Sequence, residues 1–164
     1  MKFSCYDFNI TIPNDWKVFI DNKKSQYGSG IISFATPKNI TLDIVWENLD
    51  RHKAKASTVE AFISKYFDEM KKDRNIKSFD YIKGTPVVAD EHEVIAHEFT
   101  YEYKRALSRG VKLKIIGLSM YCLHSNRFVI LYSKSDPKKE NPYEAAIREA
   151  ITTFHCSCNQ NAKL

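Results

Sequence analysis

The chain's cysteines and histidines are its soft and titratable ligands, and they crowd most closely in the C-terminal run His155-Cys156-Ser157-Cys158. Thiolate and imidazole donors suit Zn²⁺ or Cu(I). His155, Cys156 and Cys158 therefore form a candidate metal site, with Cys122 and His124 on hand to complete a shell. Against this, structural zinc sites usually present Cys-x₂-Cys, because a one-residue spacer strains tetrahedral chelation by neighbouring residues. The competing expectation packs Cys156 behind the last helix and leaves Cys158 in a loose tail.

A second cluster is the basic hairpin containing Tyr101, Tyr103, Lys104, Arg105, Arg109, Lys112 and Lys114. Cations interleaved with aromatic rings can hold single-stranded nucleic acid by phosphate contacts and base stacking. The tyrosines, however, share an alternating face with Ile95 and Phe99, which assigns them to the core. Charged hairpins also guard sheet edges against unwanted pairing. Nucleic acid is therefore not the expected partner, and Lys104, Arg105, Arg109, Lys112 and Lys114 stand as candidate contacts to a protein.

His97 and His124, with Glu98, Glu102 and Asp136 nearby, are the remaining acid–base candidates. His97 lies on the apolar side of its run and reads as a hydrogen-bonded core histidine. The sequence holds no G-x-S-x-G, Walker loop, His-Glu-x-x-His or dinucleotide fingerprint. Ser125 and Ser157 sit near histidines without any triad context. The expectation leans away from an enzyme, with no catalytic residue and no cofactor.

The elements that must position these residues follow from composition and periodicity. The 164 residues are 43% hydrophobic and 27% charged, which excludes a disordered chain and suits one ordinary domain. An aromatic share of 13% favours half-buried strands. The net charge of +5 rests mainly on lysine, the weaker residue for bidentate phosphate recognition, and selects no partner class. No apolar stretch approaches the roughly 20 residues that span a bilayer. Residues 1–12 alternate in hydrophobicity and lack a signal-peptide core, so a cytoplasmic location with cysteines kept as thiols is expected.

Strands are expected at Phe8 to Ile12, around Val18 and Ile20, at Ile31 to Ala35 and at Ile40 to Glu47. The spacing of Ser57 and Glu60 predicts a capping box. Val59, Phe62, Ile63, Tyr66, Phe67 and Met70 then give one apolar stripe on a helix ending near 72–75. Further strands are expected at Ile76 to Ile82, Glu93 to Lys104, Val111 to Leu123 and Phe128 to Ser133, with Arg109-Gly110 as the turn between the two longest. Asn141 and Pro142 open a last helix with Tyr143, Ile147, Ala150, Ile151 and Phe154 inward. The result is an α+β domain over 1–156, an antiparallel sheet of about 6–8 strands flanked by two main helices, with a flexible tail over 157–164.

This layout resembles the PsbP-like superfamily, which also includes the yeast Ran-release factor of nuclear import and several bacterial lipoproteins. The resemblance rests on the first strand ending in Ile12-Pro13-Asn14-Asp15-Trp16, the helix opening at Ser57, the strand Asn126-Arg127-Phe128-Val129-Ile130-Leu131-Tyr132-Ser133, and the closing helix ending in Thr153-Phe154. It implies an α/β/α sandwich in proteins known mostly as binding or assembly factors, and it brings no catalytic residues. The expected function is a cytoplasmic interaction module that docks a protein partner, with a homo-oligomer compatible and no membrane contact. The alternative is a small-ligand or metal-binding protein, or an enzyme without a recognised motif, with a pocket between sheet and helix.

Overall fold

Alternating runs joined by short polar turns mostly pair with a neighbour in sequence, and every pairing among the described residues is antiparallel. The computed structural model describes residues 1–21, 25–53, 56–89, 92–105 and 108–158. In chain order the elements are β1 (Lys2–Cys5), β2 (Phe8–Thr11), β3 (Lys17–Ile20), β4 (Gly30–Ala35), β5 (Thr41–Asn48), α1 (Leu49–Lys53) and α2 (Val59–Lys72). There follow β6 (Ile76–Lys83), β7 (Val87–Ala89), β8 (His92–Arg105), β9 (Ser108–Cys122), β10 (Arg127–Ser135), α3 (Glu144–Thr153) and β11 (His155–Cys156). An eight-stranded sheet runs β3-β4-β5-β10-β9-β8-β6, with β7 also on β8, and a three-stranded sheet runs β1-β2-β11.

The expected antiparallel sheet flanked by two main helices is present. Three short strands, β1, β7 and β11, and the single turn of α1 are additions, each too short to show a hydrophobic period. The two faces of the large sheet are covered differently. On one face α2 lays Val59, Ile63 and Phe67 against Ile95, Phe99, Ile115, Tyr121 and Phe128. On the other, α3 contributes Ile147 and Ala150, and the small sheet contributes Phe8 and Ile10, to a core with Trp46, Ile116, Met120 and Leu131. Consecutive residues of β9 thus enter opposite cores, which is why both of its faces are apolar.

Local chemistry differs from expectation at three places. Thr58, not Ser57, caps α2, its hydroxyl accepting from Ala61 N at 3.1 Å. The Val59 amide is taken by Glu93 Oε2 from the sheet at 3.1 Å, and the Glu60 carboxylate is bound by Lys83 Nζ at 2.9 Å. Asn141 lies ahead of α3 and its side chain accepts from Tyr143 N at 3.0 Å; the helix itself starts at Glu144. Gly110 is inside β9 rather than at the turn, because β8 runs on to Arg105 and β9 begins at Ser108. A Cβ on Gly110 would lie 2.9 Å from Tyr103 O, so the residue marks a close strand approach.

Candidate metal centre

The β8–β9 pairing sets the first half of the site. Its register places His92, the first residue of β8, directly opposite Cys122, the last residue of β9. Both side chains are buried, and Cys122 belongs to the core shared with α3 and the small sheet. The second half arrives from the C-terminus. After α3 the chain turns at Phe154 and lays His155 and Cys156 against β2, with Cys156 opposite Phe8. Ser157 N then donates to Asp7 O at 2.8 Å and its hydroxyl receives Asn9 Nδ2 at 2.8 Å. In an extended segment, side chains at i and i+2 point the same way. The single-residue spacer therefore delivers the Cys156 and Cys158 thiols to one side.

The outcome is a cluster of one imidazole and three thiols. His92, Cys122, Cys156 and Cys158 each bring a donor atom within 4.8 Å of all the others. Cys122 Sγ lies 3.8 Å from Cys156 Sγ and 3.3 Å from Cys158 Sγ, and Cys158 Sγ lies 3.3 Å from His92 Nε2. A tetrahedral zinc site with bonds of about 2.3 Å to sulfur has sulfur–sulfur edges of roughly 3.8 Å. These three contacts, at 3.3–3.8 Å, are close to such edges, and no donor pair exceeds 4.8 Å.

The surroundings favour anionic sulfur. Ser125, in the β9–β10 turn, donates its hydroxyl to Cys122 Sγ at 2.8 Å and its amide at 3.4 Å. Arg127 is wholly buried. Its Nε donates to Ser125 Oγ at 2.7 Å, its Nη1 to Tyr6 O at 2.6 Å, and its Nη2 faces Cys156 Sγ at 3.7 Å. The guanidinium is stacked over the rings of Phe8 at 4.3 Å and Tyr27 at 4.5 Å, and Asp7 Oδ2 is 3.8 Å away. Hydrogen bonds from Cys156, then His92 and Ser125, hold the Cys122 thiol far below its ordinary range. The hydrogen bond to Cys122, then burial, pushes Cys156 upward, and burial, followed by Cys122, pushes Cys158 upward. Without a cation, one sulfur carries the charge for all three; a divalent cation would let all three ionise.

Two of the three predicted metal residues, Cys156 and Cys158, thus meet, and Cys122 joins them. His155 does not: it is exposed, with Nδ1 3.2 Å from Thr153 O. Neighbours in an extended strand face opposite sides, so His155 and Cys156 cannot share a centre. His124 is exposed in the turn, its ring 6.5 Å from that of His92. His92 escaped the sequence reading because its link to Cys122 is a register, and the turn setting that register was placed at Arg109-Gly110, late by a few residues. Of the residues expected in the tail, Ser157 is bonded to Asp7 and Asn9, and Cys158 meets Cys122 and His92; residues 159–164 lie outside the described residues.

The basic hairpin is less open than its sequence suggests. Lys114 is bound to Glu144 at 2.8 Å and Glu98 at 3.2 Å, and Arg148 reaches the same two carboxylates, so Lys114 ties α3 to the sheet. Lys104 Nζ donates to Arg74 O at 2.9 Å, and Lys112 pairs in register with Glu102. The side chains of Arg105 and Arg109 lie outside the described residues. Tyr101 packs against the α2 core, whereas Tyr103 is exposed.

Comparison with known proteins turns on the architecture. The solution structure of cyanobacterial PsbP (CyanoP) from Synechocystis sp. PCC 6803 superposes with a TM-score of 0.54 over 95% of this chain and 91% of that one, at 11% identity. The fold is PsbP-like. At that identity the likeness is one of fold alone. No protein-family model matches the chain, and no curated protein matches it in sequence. The chemistry of this PsbP-like domain therefore has to be read from its own residues. Among the described residues no helix is long and apolar enough to cross a membrane.

Proposed function

We propose that this PsbP-like chain is a metal-binding protein holding one Zn²⁺ between His92 Nε2 and the sulfurs of Cys122, Cys156 and Cys158. The observation that carries the reading is the convergence of these four donors within 4.8 Å from three separate parts of the chain. Three sulfurs and one imidazole complete a tetrahedron and leave no open position, the pattern of a structural rather than a hydrolytic zinc. The metal would fasten β11 and the β1–β2 hairpin to the end of the large sheet. Three thiolates against a 2+ ion leave one net negative charge, which the buried Arg127 beside Cys156 offsets. A site of this kind keeps its ligands reduced, which supports the cytoplasmic reading.

The test is elemental analysis of the purified chain with Co²⁺ substitution and Cu(I) competition. One zinc per chain, and a Co²⁺ spectrum with thiolate charge-transfer bands, are expected. Metal that is sub-stoichiometric, or unchanged in Cys158→Ser, overturns the reading.

A second reading, the docking of a protein partner, is supported by the apolar edge where Ile82, Val87 and Val88 are 69%, 57% and 73% exposed. Charge substitution at Val88 should abolish capture of a defined partner while leaving bound metal unchanged. A capture profile identical to wild type counts against this reading.

A further inference from the structure

On the opposite face from the thiols, α2 and the large sheet enclose a cavity of about 250 Å³. Phe62, Ile63 and Tyr66 come from the helix, Phe99 and Ile115 from the sheet, and Lys134 stands at the exposed rim. An apolar cavity of roughly 150 Å³ already admits benzene, so this one has room for a ring with substituents.

Besides Lys134 and the phenols of Tyr66, Tyr101 and Tyr132, the lining holds one imidazole, His97. His97 is only 8% exposed and reaches across β9 at Gly117, where a Cβ would lie 2.9 Å from its Cε1. Its Nε2 is 3.3 Å from Ser119 Oγ, and its Nδ1 has no hydrogen-bond partner among the described residues. A buried polar atom left without a partner calls for an explanation. Burial holds the ring neutral by lowering its pKa to about 4. Nδ1 is thus either a bare acceptor or an N–H donor, according to the tautomer that Ser119 selects. A hydroxyl group can satisfy both cases.

At the other end, Lys134 lies opposite Ile115, and Ile115 opposite Phe99, so β9 separates the strands of Lys134 and His97. Two strand spacings are roughly 10 Å. The two polar groups therefore address opposite ends of any occupant, one buried and neutral, one exposed and cationic.

We propose that this cavity is a binding site for a single-ring aromatic carboxylate bearing a hydroxyl at its far end. The ring lies among Phe62, Tyr66 and Phe99, the carboxylate pairs with the Lys134 ammonium, and the hydroxyl meets His97 Nδ1. The site is independent of the thiol cluster and of any metal there.

Calorimetric titration of the full chain with 4-hydroxybenzoate, benzoate and 4-methylphenol tests this. One saturable site is expected, with 4-hydroxybenzoate binding about tenfold tighter than either truncated probe. Lys134→Gln should weaken 4-hydroxybenzoate about tenfold and leave 4-methylphenol unchanged; His97→Phe should reduce 4-hydroxybenzoate to the level of benzoate. Should His97→Phe fail to fold, Lys134→Gln still decides, because residue 134 is exposed and 4-methylphenol is its internal control. Absence of saturable binding at millimolar concentrations, equal affinity for the three probes, or no effect of Lys134→Gln on the carboxylate overturns the proposal.

Discussion

Arg127 is completely buried and turns its Nη2 toward Cys156 Sγ at 3.7 Å. A buried guanidinium needs anions and acceptors for its N–H groups, and besides the Phe8 and Tyr27 rings it meets Tyr6 O, Ser125 Oγ and Asp7. It also orients Ser125, which donates to Cys122. Partners of metal ligands commonly tune affinity by 10–100-fold. Arg127→Leu should therefore weaken Zn²⁺ by about that factor in chelator competition. Arg127→Lys should restore only part of it, since a lysine cannot reproduce the planar fork. Unchanged zinc affinity in both variants would show that the arginine serves packing alone.

Removal of the metal should loosen one corner of the molecule. Among the described residues, β11 pairs with the small sheet through His155 and Cys156, and Cys156 also brings a donor to the proposed centre. Chelation should raise amide exchange at Cys156 and Ser157 and leave the middle of β8 and β9 protected. Cys158→Ser should reproduce that pattern, and Cys5→Ser, at a thiol outside the cluster, should not. Equal protection with and without chelator would contradict a structural role.

Metal uptake should release protons. Cys122 is held low and is already ionised near neutrality, whereas Cys156 and Cys158 are raised and still carry theirs. Binding should expel about two protons from these thiols, and affinity should rise with pH through the neutral range. Calorimetry in buffers of different ionisation enthalpy reads the number directly. A value near zero would mean that the sulfurs are not ligands.

His97 should make stability depend on acid. Its pKa is lowered from 6.5 to about 4 by burial, so the folded state prefers the neutral ring. The sign follows: the full contribution is present above about pH 6.5 and is lost as pH falls toward 4, amounting to about 3 kcal/mol. Denaturant unfolding at pH 7.5 and pH 4.5 should show this loss in the wild type and a smaller one in His97→Gln. Parallel behaviour of the two would assign the acid sensitivity to other groups.

The sequence by itself determined the long strands and both main helices. Alternation along 93–104 and the stripe from Val59 to Met70 are local consequences of which side of an element meets water. It also marked Cys156 and Cys158 as thiols worth attention and Cys122 as a companion. Tertiary structure decided which imidazole joins them. His92 meets Cys122 through a strand register spanning 29 intervening residues, and a register depends on where the turn falls. His155, adjacent in sequence, is turned away because strand neighbours alternate. The start of α2 also draws on the sheet, where Glu93 accepts from the Val59 amide across 34 positions of sequence. Spacing along the chain says which residues share a face of one element, while a site built across elements depends on pairing that no single element contains.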